Sequence, residues 1–268
     1  MNESETIVNI GVVAHVDAGK TTVTEQLLFG AGELRQTGSV DSGTTQTDCL
    51  AIERQRGISV QAASVSLHTG GKRINLIDTP GHVDFAGEVE RALRVLDWAV
   101  VVVSAVEGVQ AQTDVLLEAL EQTGTRKILF INKIDRAGSR SVEVFKELQE
   151  RCLALNMVLQ EGARSCAVDE RRLSDPAMRE DTVTLLAEYD DTLLDRYLSD
   201  EPLDDAVLES ALIRQMQEGR IVPVLYGCAA QGVGINHLLS LLGTAALPVK
   251  NRNDDALSGV VYKITHDK

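Results

Sequence analysis

The feature that most constrains this 268-residue chain lies near its start. An apolar, β-rich run, Ile7–Ala14, passes directly into His15-Val16-Asp17-Ala18-Gly19-Lys20-Thr21-Thr22, after which Val23, Leu27 and Leu28 fall on one helical face. Strand, glycine turn, Lys-Thr, helix is the setting of the phosphate-binding loop G-x-x-x-x-G-K-[ST], here with Ala14 in place of the first glycine. Successive backbone N–H groups and the positive end of the helix suit a polyphosphate. Asp17, Ala18, Gly19, Lys20, Thr21 and Thr22 are therefore candidate phosphate-binding residues, with Lys20 bridging the terminal phosphates and the Thr21 hydroxyl on Mg2+.

A strand–loop–helix unit of this kind needs a parallel sheet, and the rest of the chain supplies one. Val60–Leu67 and Arg73–Ile77 read as strands joined by Thr69-Gly70-Gly71-Lys72, a hairpin signal. Val83–Leu96 reads as a helix and Trp98–Ser104 as a strand buried on both faces. Thr113–Thr123 is a predicted helix with Val115, Leu116, Ala119 and Leu120 inward. Lys127–Ile131 and Val222–Tyr226 are strands, and Ile235–Leu242 is a helix. The alternation predicts an α/β fold of the P-loop NTPase type: three α/β/α layers around a mostly parallel six-stranded sheet with one antiparallel hairpin. Right-handed crossovers put the strand carboxyl ends, and so the ligand, on one edge. With 44% apolar residues but only 3% aromatic, the core must be built from Val, Leu, Ile and Ala.

Residues 139–219 break the rhythm and read as a mainly helical, acidic insertion. Residues 169–209 alone hold 14 Asp/Glu against 4 Lys/Arg, so they dominate a net charge of −14. That charge argues against DNA binding through a general basic surface. Residues 1–250 are expected to form one domain carrying this insertion. Residues 251–268 read as a linker and the first strand of a truncated β-barrel domain, because Leu257–Ile264 begins a strand with no partner in the sequence. The four cysteines, Cys49, Cys152, Cys166 and Cys228, form no C-x-x-C pair and fit reduced thiols. The N-terminus does not read as a signal peptide, and the longest apolar run is too short to span a membrane. A soluble, cytoplasmic, monomeric protein is expected.

Four further motifs follow predicted strands. Asp78-Thr79-Pro80-Gly81-His82 follows Arg73–Ile77. Asp78 is placed to hold Mg2+ through water, the Gly81 N–H to approach a γ-phosphate, and His82 to stand near an attacking water. Asn132-Lys133-Ile134-Asp135 follows Lys127–Ile131. Asp135 can accept from guanine N1–H and the 2-amino group, which adenine lacks, while Lys133 lies along the base face. Gly227-Cys228-Ala229-Ala230 offers backbone N–H groups to guanine O6. Arg54-Gln55-Arg56-Gly57-Ile58-Ser59 offers the Ser59 hydroxyl as a second Mg2+ ligand. The order of the five motifs is that of a GTPase, with GTP/GDP and Mg2+ as ligands.

A-H-V-D-A-G-K-T, D-T-P-G-H and N-K-I-D together resemble the translational GTPases, specifically the elongation factor G group. The stretches Gly38–Asp48, Glu53–Ser59 and Val109–Thr113 are similar to the ribosomal protection proteins of tetracycline resistance. The resemblance implies a GTPase domain with an inserted subdomain and the ribosome as partner. It also implies that His82 orients the attacking water when the sarcin–ricin loop holds it, that Asp17 assists, and that Cys228 and Ala229 complete the base site. Lys20, Asp17 and His82 would be the catalytic set. Ser59 stands where Thr is usual, and Cys228 where Ser is usual. An elongation factor G paralogue in translocation, a release-factor-type GTPase and a non-catalytic GTP-gated scaffold are the alternative readings.

Overall fold

The structure is a computed structural model that describes residues 6–34, 36, 63–79, 91–199 and 201–248. Strand β1 is Thr6–Ala14 and helix α1 is Lys20–Gly30. Strands β2 (Ala63–Thr69) and β3 (Lys72–Asp78) form the expected antiparallel hairpin, with Thr69 opposite Lys72. Their two-residue turn requires positive φ at both positions, which Gly70 (55°) and Gly71 (71°) provide. Strand β4 is Trp98–Ser104, α2 is Ala111–Thr123 and β5 is Arg126–Asn132. The final units are β9 (Val222–Tyr226) and α7 (Ile235–Ala245). Of the expected helix Val83–Leu96 only its last residues are described, and 91–93 are helical. Ser59, Gly81 and His82, and all of residues 251–268, lie outside the described residues.

The insertion is mainly helical, as expected, but also carries strands that the sequence did not show. It contains α3 (Ser141–Leu148), then three strands, β6 (Cys152–Ala154), β7 (Asn156–Ala163) and β8 (Ser165–Glu170). Helices α4 (Pro176–Ala187), α5 (Asp191–Leu198) and α6 (Asp205–Gln217) follow. β6 pairs in parallel with β9, so the main sheet has seven strands rather than six, in the order β2-β3-β1-β4-β5-β9-β6. β7 and β8 make a separate antiparallel hairpin whose register shifts twice. Strands interrupted by bulges and with apolar residues facing out carry no clean alternation to read.

Two apolar cores flank the sheet, and β4 explains why. All seven of its residues are buried: Trp98, Val100 and Val102 face one core, while Ala99, Val101 and Val103 face the other. Successive side chains on a strand point to opposite faces, so a strand covered on both sides must be apolar throughout. α1, α7 and the α4–α6 group cover the first face. α2 and α3 cover the second. On α2 the inward positions are Thr113, Leu116 and Leu120, whereas Val115, expected inward, is 65% exposed. Among the described residues no helix is long and apolar enough to cross a membrane.

Candidate functional site

The parallel strands β1, β3, β4, β5 and β9 all end on one sheet edge, and the loops leaving them carry the predicted motifs. The loop after β1 bends through Asp17 (φ 63°) and Gly19 (φ 95°), and Gly19 is the N-cap of α1. Gly19 is obligatory on two counts. Its φ is left-handed, and a Cβ there would lie 2.4 Å from Asn132 Nδ2. Ala18 is buried, and Thr21 and Thr22 follow in the first turn of α1.

Lys20, buried, points at the carboxyl end of β3 and bonds to Asp78, which is 1% exposed. Two opposite charges brought together away from water hold both loops, since separating them strands a charge in the interior. Thr79 donates its hydroxyl to Val12 O at 3.1 Å, which fixes the start of the D-T-P-G segment to β1.

The N-K-I-D segment is tied to the loop after β1 by one side chain. Asn132, 3% exposed, donates from Nδ2 to Ala18 O at 2.8 Å. Its Oδ1 accepts from Ala229 N at 2.9 Å. Asn132 therefore acts as a strut between the loops after β1, β5 and β9. A buried amide satisfied at both ends holds those loops at a set separation. The geometry changes one expectation. The backbone N–H groups of Cys228 and Ala229, expected to meet guanine O6, are both engaged within the protein, Cys228 N with Val233 O at 3.1 Å and Ala229 N with Asn132 Oδ1. The next amide in that turn belongs to Ala230.

Asp135 lies beside this loop with its side chain 11% exposed. Its Oδ2 accepts from Gln231 Nε2 at 3.3 Å, while Oδ1 is buried with no hydrogen-bond partner among the described residues. Burial and the nearby Asp135 carboxylate push the Cys228 thiol up to about 12. It is a packed thiol rather than a nucleophile. Lys133 sits at φ 65°, with Nζ 3.7 Å from Glu107 Oε1.

Three residues to which sequence reasoning assigns no role, His15, Glu107 and Thr113, join these loops. His15 Nε2 lies 3.0 Å from Glu107 Oε2, and its Nδ1 lies 3.3 Å from Thr113 Oγ1. Glu107 thus links His15 of the phosphate loop to Lys133 of the base loop. Burial pushes the Glu107 carboxyl up, but the hydrogen bond from His15 and the charge of Lys133 outweigh it and hold it below the usual carboxylate range. Thr113, a polar residue on an inward helical position, is the available signal.

Comparison with known proteins fits this arrangement. Residues 5–247 match the family model described as the elongation factor Tu GTP binding domain. The chain belongs to that family. It is a GTP-binding domain of the translational GTPases. It is 41% identical over 261 residues to a Clostridium perfringens protein named tetracycline resistance protein TetP, covering 96% of this chain and 40% of that one. It is 42% identical over 262 residues to the oxytetracycline resistance protein of Streptomyces rimosus, again over 96% of this chain and 40% of the relative. The chain thus spans about 40% of the length of these curated relatives. A crystal structure of a Thermus thermophilus protein superposes with a TM-score of 0.80 at 28% identity, over 91% of this chain and 40% of the other.

Proposed function

We propose that the chain binds GTP with Mg2+ and hydrolyses the β–γ bond on the ribosome, as the GTPase part of a cytoplasmic, monomeric factor that protects translation from tetracycline. The observation that carries the guanine reading is Asp135. A buried carboxylate oxygen without a partner among the described residues, beside the Gly227–Ala230 turn and joined through Asn132 to a phosphate-type loop, needs a donor from a ligand. Guanine offers two donors side by side, N1–H and the 2-amino group, and adenine has neither. The tetracycline role is supported by the names and the 41–42% identity of the relatives.

In this reading Asp17 to Thr22 cradle the phosphates, and Lys20 exchanges Asp78 for phosphate oxygens. Thr21 and Ser59 would give hydroxyls to Mg2+, and Asp78 would hold it through water. Among the described residues no three His, Cys, Asp or Glu side chains group as a metal cage. That suits Mg2+, which keeps phosphate and water ligands rather than an all-protein set. Bound Mg2+ would supply charge neutralisation at the β- and γ-oxygens. Gly81 approaches the γ-phosphate and His82 orients the attacking water when the sarcin–ricin loop positions it. Residues 1–250 are the GTPase domain, with 139–219 inserted, and 251–268 lead into the next domain.

The test is a cell-free translation reaction stalled by tetracycline, to which the full-length protein carrying this chain is added. Rescue that requires GTP and is lost in His82→Ala, with nucleotide binding retained, is the expected result. Ribosome-stimulated hydrolysis without rescue would contradict the protective role and point to an elongation-factor function.

A further inference from the structure

The β7–β8 hairpin of the insertion is fastened to the base loop at several points. Gly162 N donates to Ile134 O at 2.7 Å, inside the N-K-I-D segment itself. Glu161 accepts from Ser139 Oγ at 2.5 Å, from Ser141 N at 2.9 Å and from Ser141 Oγ at 2.8 Å, just beyond that segment. Gln231, on the 3₁₀ turn Ala229–Gln231, spans the remaining gap. Its Nε2 donates to Arg164 O at the tip of the hairpin, at 2.7 Å, and to Asp135 Oδ2 at 3.3 Å.

These contacts have a consequence for selectivity. Reading both N1–H and the 2-amino group requires the two carboxylate oxygens to lie in the plane of the base, and a carboxylate otherwise turns about its last torsion. Arg136, whose Nε is 3.9 Å from Asp135 Oδ2, is 67% exposed and too distant to fix that torsion. The Gln231 amide reaches Oδ2 at 3.3 Å and limits rotation about that torsion, while Oδ1 has no partner among the described residues. We propose that Gln231 is a positioning residue for guanine selectivity and that the β7–β8 hairpin sets it, so that the insertion acts on the base site from behind. The inference rests on the guanine-site reading of Asp135.

The experiment compares equilibrium binding of GDP and inosine diphosphate, which lacks the 2-amino group and so loses one of the two bonds to Asp135. In Gln231→Met, which keeps the side-chain length and removes the amide, the preference for GDP over inosine diphosphate should fall about five- to tenfold, roughly the net worth of one ordinary hydrogen bond. A residue that only steadied the fold would weaken both nucleotides equally, and an unchanged ratio overturns the proposal. Glu161→Ala, which frees the hairpin while leaving Gln231 intact, should lower the same ratio about twofold. An unchanged ratio there overturns the hairpin's part. Asp135→Asn, measured alongside with xanthosine diphosphate, separates the two levels. If it gains no preference for xanthine the base-site reading itself has failed; if it does while Gln231→Met keeps its ratio, only the positioning role has failed.

Discussion

The site edge of the sheet and the helical half of the insertion are both held by polar contacts, but of opposite kinds. At the edge buried polar groups pair with one another: Asn132 between Ala18 O and Ala229 N, and Lys20 against Asp78. Around α4–α6 most of the side-chain ion pairs are exposed, such as Arg179 with Asp205 and Arg214 with Asp190 at 2.6 Å. Buried polar groups lose the full cost of desolvation when a partner is removed, whereas exposed pairs are re-solvated by water. The first arrangement fixes geometry to fractions of an ångström, which is what a nucleotide site requires. The second lets an acidic, helical surface change with little effect on the fold.

Substitutions graded by burial should break or sharpen this contrast. Asn132→Ala strands one buried carbonyl and one buried N–H, and should cost about 2–4 kcal/mol of stability together with most nucleotide affinity. Urea unfolding and a fluorescent-nucleotide titration check both. Asn156 is the insertion's own buried amide: Nδ2 donates to Tyr226 O at 2.9 Å and Oδ1 accepts from Tyr226 N at 2.7 Å. Asn156→Ala should cost about 1–3 kcal/mol, again read by urea unfolding, but leave nucleotide affinity within a few-fold.

Glu161 gives a pH signature. Burial pushes its carboxyl up, but the hydrogen bonds from Ser139 and Ser141 outweigh this and hold it below its unfolded value of about 4.3. A depressed folded-state value means the stabilisation is full above the unfolded pKa and is lost as pH falls through the folded one. Urea midpoints followed from about pH 6 to about pH 3 should therefore drop less steeply in Glu161→Gln than in the parent chain. The smallest effect is expected from Arg214→Ala, within about 1 kcal/mol and with unchanged nucleotide binding.

The same contrast governs how much the sequence reveals. Trp98–Ser104 and Val222–Tyr226 match their strands to the residue, because a run buried on both faces leaves no ambiguity of period. The glycine-bearing loop after β1 and the N-K-I-D turn are legible as loops at strand ends because their residues are consecutive. The Asn132 strut is not, since its partners lie 114 and 97 residues away and belong to tertiary structure. Val115 faces out because the helix turns Thr113 inward instead, where its hydroxyl meets His15. The β7–β8 hairpin is hidden for a related reason. Met157 and Leu159 face outward at 39% and 60% exposure, and the turn uses Arg164 at φ 28° instead of a glycine signal. Gln231 carries no local signal at all, because its role exists only where the hairpin tip meets the base loop.

The central claim is that Asp135 reads guanine from a carboxylate held at the junction of the two loops. Its most direct test is competitive binding of guanosine and xanthosine diphosphates to the parent chain and to Asp135→Asn. Xanthine presents a carbonyl where guanine presents the 2-amino group, so an amide in place of the carboxylate should exchange the preference. Loss of GDP affinity by about tenfold or more, with a gain for xanthosine diphosphate, is the predicted result. Unchanged GDP affinity, or equal loss for both nucleotides, would contradict the account.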